Sequence, residues 1–388
     1  MELKEQVIVV GGGPCGLSAA AELQDRGFDP LIIEKENIVH SITCYPTNMQ
    51  FFSTSVLLEI AGLPFTTVAE KPSRLEALHY YRMVSERRAM RIRRYEKVTG
   101  VERSGDGFVV TSVGRSGETL RTEAKAVVIA TGYFDHPNRI GIPGEELPHV
   151  THFFREAHPY AGTRVIVIGG SNSAVDAALE LERVGAKVTV VYRGESVSAN
   201  IKPWVRPVFE GKVAKGQIEL KLASRVVEIG SDWAKIERAA KGGTAAARVA
   251  GDGAAGVERL AGEPEVARRV GEPEVTSVAD DAGAARVEST VGAEEEAGVE
   301  VEVVAADFVL AMTGFRPDRG FLRKMGIEAP DGIIPPTHDP DTMETNVPGL
   351  YLAGVVSTGR DANEIFIESG RFHGRKIAAH LAASGRLG

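Results

Sequence analysis

The 388 residues are 43% hydrophobic and 25% charged, the composition of an ordinary globular chain long enough for two core-bearing domains. A formal net charge of −8 argues against nucleic acid as the main partner, because tracking phosphates needs an excess of lysine and arginine. The start, Met1-Glu-Leu-Lys-Glu-Gln6, lacks the marks of a signal peptide, no apolar run reaches the roughly 18 residues of a membrane span, and the two cysteines suit a reducing cytoplasm. Cys15 and Cys44 lie too far apart for a Cys-x-x-Cys pair and are too few for a structural zinc site. A cytoplasmic protein without metal or membrane partner is therefore expected.

Val7 to Val10 reads as a short buried strand. Gly11-Gly-Gly-Pro-Cys-Gly16 follows, then a helix from Leu17 to about Arg26, a stop at Gly27, and a second strand at Pro30-Leu-Ile-Ile-Glu34. This βαβ pattern recurs at Arg164-Val-Ile-Val-Ile168, Gly169-Gly-Ser-Asn-Ser-Ala174, a helix to about Val184, and Lys187-Val-Thr-Val-Val-Tyr192. The expected fold class is α/β, with two doubly wound, Rossmann-like dinucleotide-binding domains. Residues 1–150 and 306–388 are expected to form a discontinuous FAD domain, and 151–305 an NADPH domain. Within the latter, about 239–300 is rich in Ala, Gly, Glu and Val and repeats Gly-Glu-Pro-Glu-Val at 262–266 and 271–275. It reads as a low-complexity surface insertion.

The first glycine loop combines strand, G-x-G-x-x-G, helix, second strand and terminal acid in order. Gly11 serves the tight turn, Gly13 the close approach of backbone to a diphosphate, and Gly16 the helix–strand packing. Gly12 completes the loop, and Pro14 suits the first helical position, where its missing N–H costs nothing. The helix end attracts the diphosphate, and Glu34 stands where a carboxylate accepts hydrogen bonds from ribose hydroxyls. Two segments point to FAD here: Val127-Val-Ile-Ala130-Thr131-Gly132 and Val309-Leu-Ala-Met-Thr-Gly314, strand-then-small-residue turns of the kind that close FAD domains. Thr345-Asn-Val-Pro-Gly-Leu-Tyr-Leu-Ala-Gly354 resembles the second FAD signature of glutathione- and thioredoxin-reductase-like flavoproteins. Val355 stands where that signature has an aspartate for the ribityl chain.

In the second loop, Gly169-Gly170-Ser171-Asn172-Ser173-Ala174 matches G-x-G-x-x-A with Ser171 in place of the second glycine. Its next strand ends in Tyr192-Arg193, without an acid. A guanidinium pairs with the 2′-phosphate that a carboxylate would repel, so this site reads as NADPH-binding through Arg193, with Lys202 the next candidate.

Several further motifs join the first loop: Ser41-Ile42-Thr-Cys-Tyr-Pro46, Phe51-Phe-Ser-Thr-Ser55, Lys71-Pro72, Ala77-Leu-His-Tyr-Tyr-Arg82, Glu156-Ala-His-Pro-Tyr160, Ile201-Lys-Pro-Trp-Val205, and Ile365-Phe366-Ile367-Glu-Ser-Gly-Arg-Phe-His-Gly374. Over nearly the whole chain outside the insertion they resemble the YpdA-type bacillithiol disulfide reductases, or bacilliredoxin reductases. The resemblance implies thioredoxin-reductase-like architecture and an oligomeric, NADPH-dependent FAD enzyme without Cys-x-x-Cys, reducing bacillithiol disulfide or an oxidised bacilliredoxin. It also implies that Lys35, Ser41, Ile42, Val98, Ala130, Thr131, Gly132, Gly354, Val355, Phe366 and Ile367 line the FAD site.

The family's glycine-loop cysteine maps onto Cys15, the candidate catalytic thiol. The helix end lowers a thiol pKa, but a diphosphate at the same end opposes thiolate formation, so a small residue packed beside the cofactor is the competing role. A flavin-containing monooxygenase would share the paired nucleotide sites. Its F-x-G-x-x-x-H fingerprint is missing, since Pro143-Gly-Glu-Glu-Leu-Pro-His149 lacks the phenylalanine and sets the histidine one residue too far on. A flavin-bearing redox sensor without turnover is the third class.

Overall fold

A computed structural model describes residues 3–239, 299–359 and 365–387. Strand β1 (Leu3–Val10) leads into helix α1 (Pro14–Gln24), and β2 (Leu31–Glu34) lies parallel beside β1, with Val10 opposite Ile33. The helix begins earlier than the apolar pattern implies, because Pro14 takes its first position. Every residue of β2 is buried, which is why that strand reads as a continuous apolar run rather than an alternating one.

Six strands of the first sheet lie in the order β3-β2-β1-β6-β5-β4, with β3 at Arg91–Arg94, β4 at Lys97–Ser104, β5 at Gly107–Val113 and β6 at Thr119–Ile129. The seventh, β15 (Leu350–Leu352), comes from far along the chain and pairs in parallel with β6 at Val127–Ile129. Helix α8 (His373–Ala383) then lies on α1 so closely that a Cβ on Gly374 would sit 2.6 Å from the Ala19 Cα. The first unit is thus built from both ends of the chain. Its core sits on both faces of the sheet, with α3 (Arg74–Arg87) covering one of them.

The second sheet runs β10-β9-β8-β14-β7, entirely parallel, with β7 at Val150–Thr151, β8 at Arg164–Ile168, β9 at Lys187–Val191, β10 at Ile218–Lys221 and β14 at Phe308–Ala311. Helix α4 (Asn172–Arg183) crosses between β8 and β9, and α5 (Arg206–Ala214) precedes β10. Here the structure corrects the sequence reading. Val309–Gly314 does not close the first unit, because Phe308–Ala311 pairs with Val165–Ile168 of the second. A boundary at 306 therefore falls one strand too early.

An antiparallel sheet, β11 (Ser224–Ile229), β12 (Trp233–Ala239) and β13 (Val299–Ala305), packs on the second unit through Val226, Ile229, Ala234 and Ile236. Ala239 and Val299 are direct register partners, so the low-complexity segment leaves and rejoins at one end of a hairpin. Most of that segment lies outside the described residues. Among the described residues, no helix is long and apolar enough to cross a membrane.

Candidate functional site

At the first loop the Gly11 N–H donates to the Ile33 carbonyl at 2.9 Å, which fixes the turn against β2. Gly11 has φ +109°, and a Cβ there would meet the Ala130 carbonyl oxygen at 2.5 Å. A Cβ on Gly16 would lie 2.0 Å from the Gly11 carbonyl oxygen, whereas one on Gly13 would meet no protein atom within 4 Å. The loop is closed on its protein side and open at Gly13, the side a diphosphate needs. Glu34 is buried, and both of its oxygens are occupied: the Gly12 N–H donates to one at 2.6 Å and the Glu36 N–H to the other at 2.9 Å. The remaining lone pairs are left for a ribose. These features fit the adenosine diphosphate half of FAD.

A cavity of about 1230 Å³ runs from this loop to the second unit. That exceeds the roughly 300–1,000 Å³ usual for one small ligand, and its walls come from both units. Gly11, Gly13, Pro14, Cys15, Glu34 and Lys35 line it, as do Ser41 and Ile42 of the short helix α2 (His40–Thr43). Val98, Ala130, Thr131 and Gly132 form another wall, and Gly354, Val355, Phe366 and Ile367 a third. Arg74 steadies α2 by donating to the Ile42 and Thr43 carbonyls at 3.0 and 2.7 Å. Lys35 is ion-paired with Asp135. Gly12 and Gly16 are buried beneath the loop rather than facing the cavity.

Cys15 lies where the N- and C-terminal segments meet. A Cβ on either Gly354 or Gly370 would come within 2.9 Å of its sulfur, so two glycines make room for the thiol. Burial pushes the thiol up to about 12. Desolvation in that packed position favours the neutral thiol. Cys44 follows α2, 3.4 Å from the His40 Nε2, and is not on the cavity wall.

The second loop repeats the geometry of the first at one constant offset: Gly169 answers Gly11, Ala174 answers Gly16 and Tyr192 answers Glu34. Gly169 has φ +138° and packs on the Met312 carbonyl as Gly11 packs on that of Ala130. Ser171 stands where Gly13 leaves open space, with extended backbone and no strain (φ −103°). The Tyr192 ring occupies the acid's place and covers Gly170, where a Cβ would meet ring carbons at 2.4 Å. Arg193 is exposed at the end of β9 and, among the described residues, has no ion-pair partner. Asn172 and Ser173 reach the large cavity, while Gly170, Ser171, Ala174 and Arg193 lie outside it.

The Lys202 backbone N–H donates to the Asn172 side chain at 2.9 Å, and its ammonium sits over the Phe52 ring of the first unit.

Other wall residues went unread in the sequence. His152 is buried with an imidazole 3.2 Å from Glu145, and burial holds it below its ordinary pKa. Burial, then Glu180, push the Asp176 carboxyl on α4 up to about 6. Tyr45, Phe134, Phe153 and Phe315 pack as a group, with centroid separations from 4.5 to 5.5 Å. A mid-helix Asp among apolar residues is the one local signal that could have been noticed.

The family model for pyridine nucleotide-disulphide oxidoreductases matches residues 8–250 and 263–354. Bacilliredoxin reductase Bdr of Bacillus subtilis is 42% identical over 380 residues, covering 98% of each chain. The solved structure of bacillithiol disulfide reductase Bdr (YpdA) from Bacillus cereus is 41% identical, with a TM-score of 0.81 over 98% of this chain and 99% of that one. A thioredoxin reductase from T. acidophilum, 19% identical with a TM-score of 0.64 over 99% of each chain, shares the fold alone.

Proposed function

Because the chain belongs to the pyridine nucleotide-disulphide oxidoreductases, and among them to the family of the bacilliredoxin reductases, we propose that it is an NADPH-dependent FAD enzyme reducing bacillithiol disulfide or a bacilliredoxin carrying bacillithiol. One observation carries this reading furthest: a single cavity joins the FAD-type loop, the start of α4 in the second loop, and a thiol. When bound, FAD supplies the relay that takes a hydride from NADPH and passes the electron pair on. Gly11, Gly13 and Glu34 hold its adenosine diphosphate, and Thr131, Gly132, Gly354, Phe366 and Ile367 line its path. Backbone groups at Gly354 and Val355 replace the missing aspartate. Arg193 binds the 2′-phosphate of NADPH, and Asn172 and Ser173 face its inner end. The first unit is the FAD domain and the second the NADPH domain, and the enzyme works in the cytoplasm as a homo-oligomer.

Cys15 opens the disulfide. Exchange of Cys15–SH with RSSR gives Cys15–S–S–R and RSH. The electron pair from NADPH, with one proton from solvent, then returns Cys15–SH, a second RSH and NADP⁺. A thiol held near 12 is a poor nucleophile at neutral pH but a ready proton acceptor when the mixed disulfide is cleaved. Mixed-disulfide formation, followed by intact-protein mass, should therefore quicken about tenfold per pH unit from pH 7 to 9 without a plateau. A plateau below pH 8 would show that a base activates the thiol.

The assignment is tested by NADPH consumption with bacillithiol disulfide, bacillithiolated bacilliredoxin and glutathione disulfide, using wild type, Cys15→Ser and Cys44→Ser. Turnover of the bacillithiol substrates, lost in Cys15→Ser with FAD retained and kept in Cys44→Ser, is expected. Turnover surviving in both variants would leave Cys15 only a packing role. Rapid NADPH oxidation by oxygen, with no response to any disulfide, would count against the reductase reading.

A further inference from the structure

Two lysines at the cavity are held in a reciprocal arrangement across the two units. Lys71, from the first unit, places its Nζ 4.3 Å from the centroid of Trp204 in the second. Lys202, two residues before that tryptophan, places its Nζ 4.9 Å from the centroid of Phe52 in the first. The two segments of the first unit are tied together, since the Phe51 N–H donates to the Pro72 carbonyl at 2.8 Å and the Gln50 amide to the Lys71 carbonyl at 3.0 Å. All four side chains line the same cavity as Cys15.

Each ammonium is held over a ring, a contact that orients a cation without neutralising it. Among the described residues neither lysine has a carboxylate within ion-pair distance. The rings are also open, with Trp204 56% and Phe52 39% exposed. In a chain of net charge −8, two uncompensated cations beside two half-open aromatic faces call for an anionic ligand with apolar stretches. On the proposed function the 2′-phosphate of NADPH falls to Arg193, which lies outside this cavity, while Lys71 and Lys202 share it with the thiol.

We infer that Lys71 and Lys202, backed by Trp204 and Phe52, form the subsite that receives the carboxylate-bearing arm of a low-molecular-weight disulfide. This rests on the disulfide-reductase reading and adds to it the chemistry by which the substrate is chosen. Uncompensated cations on the cavity wall also steer an anionic substrate inward, an effect that salt weakens.

The experiment uses flavin-loaded wild type, Lys71→Met and Lys71→Arg, with bacillithiol disulfide as probe, and measures KM for the disulfide and for NADPH at low and high salt. The expected result is a KM for the disulfide about five- to tenfold higher in Lys71→Met, as for loss of one partly screened charge-assisted contact. Lys71→Arg should restore most of it, and the rise of KM with salt seen in wild type should flatten in Lys71→Met. An unchanged disulfide KM overturns the subsite. So does a rise confined to the KM for NADPH, or a loss that arginine does not rescue and salt does not touch, which would mark a packing brace between the units. If wild type turns over no bacillithiol disulfide, the reductase reading fails first and the subsite goes with it.

Discussion

The two glycine loops share a backbone turn, and three of the side-chain differences between them bear on what each can hold. Gly11 and Gly169 both take φ above +100° against a carbonyl of the neighbouring strand. Beyond that, Gly16 faces Ala174, Gly13 faces Ser171 and Glu34 faces Tyr192. The comparison teaches that a turn and its strand pairing fix where a diphosphate can lie, while the residue ending the second strand decides which nucleotide it belongs to. Glu34 is tied into the first loop by two backbone N–H groups, whereas the Tyr192 ring covers Gly170 and offers no carboxylate.

The largest expected effect comes from forcing the first loop to resemble the second. Gly16→Ala puts a Cβ 2.0 Å from the Gly11 carbonyl oxygen, so the helix must back away. A loss of roughly 3 kcal/mol in stability and most of the bound flavin should follow, read by thermal melts and by absorbance of the released chromophore. The mirror change, Ala174→Gly, should cost only about 0.5–1 kcal/mol and spare the flavin. Equal losses in the two variants would mean that the loops are less alike than their geometry indicates.

A smaller effect is expected at the strand ends. Arg193→Ala should lower the preference for NADPH over NADH about ten- to a hundredfold in stopped-flow flavin reduction, the scale of one charge-assisted contact. Tyr192→Glu should push the preference further toward NADH by giving the second loop the acid of the first. A preference unmoved in Arg193→Ala would shift 2′-phosphate recognition to another residue.

The smallest effect on activity is expected from an asymmetry of size. Only the second unit carries the long insertion, and its stems at Ala239 and Val299 are already paired. Replacing 240–298 by Asn-Gly, a two-residue hairpin turn, should raise stability by no more than about 3 kcal/mol, nearly five halvings of loop length at about 0.6 kcal/mol each. Flavin content and NADPH oxidation should stay close to those of the full chain. Insoluble protein would show instead that the segment packs against the unit that bears it.

What the sequence made legible was local. Both strand–glycine–helix–strand runs could be read from contiguous residues, because turn sterics and apolar runs act over short stretches. Val309–Gly314 was assigned to the wrong unit for the same reason. Its strand-and-small-residue pattern is what either unit requires, and only pairing with Val165–Ile168 decides between them. The aromatic wall of Tyr45, Phe134, Phe153 and Phe315 comes from separate segments, none of which signals the others. Nothing in the sequence near Lys202 announces that its ammonium lies over Phe52, which belongs to the other unit. Cys15 was visible as a thiol at a helix start, but its packing against Gly354 and Gly370, hundreds of residues away, was not.

That distance governs the order in which the molecule can form. The second unit's run from β8 through β10 is contiguous, so it can fold while the chain is still being synthesised. The first unit cannot. Its sheet lacks β15 until residues 350–352 emerge. Helix α1 stays uncovered until Gly374 reaches Ala19 and the Ser18 hydroxyl donates to the Arg371 carbonyl at 2.7 Å. Contacts spanning that much sequence are slow to close, so flavin capture becomes a late event, and a chain truncated before residue 350 should emerge colourless.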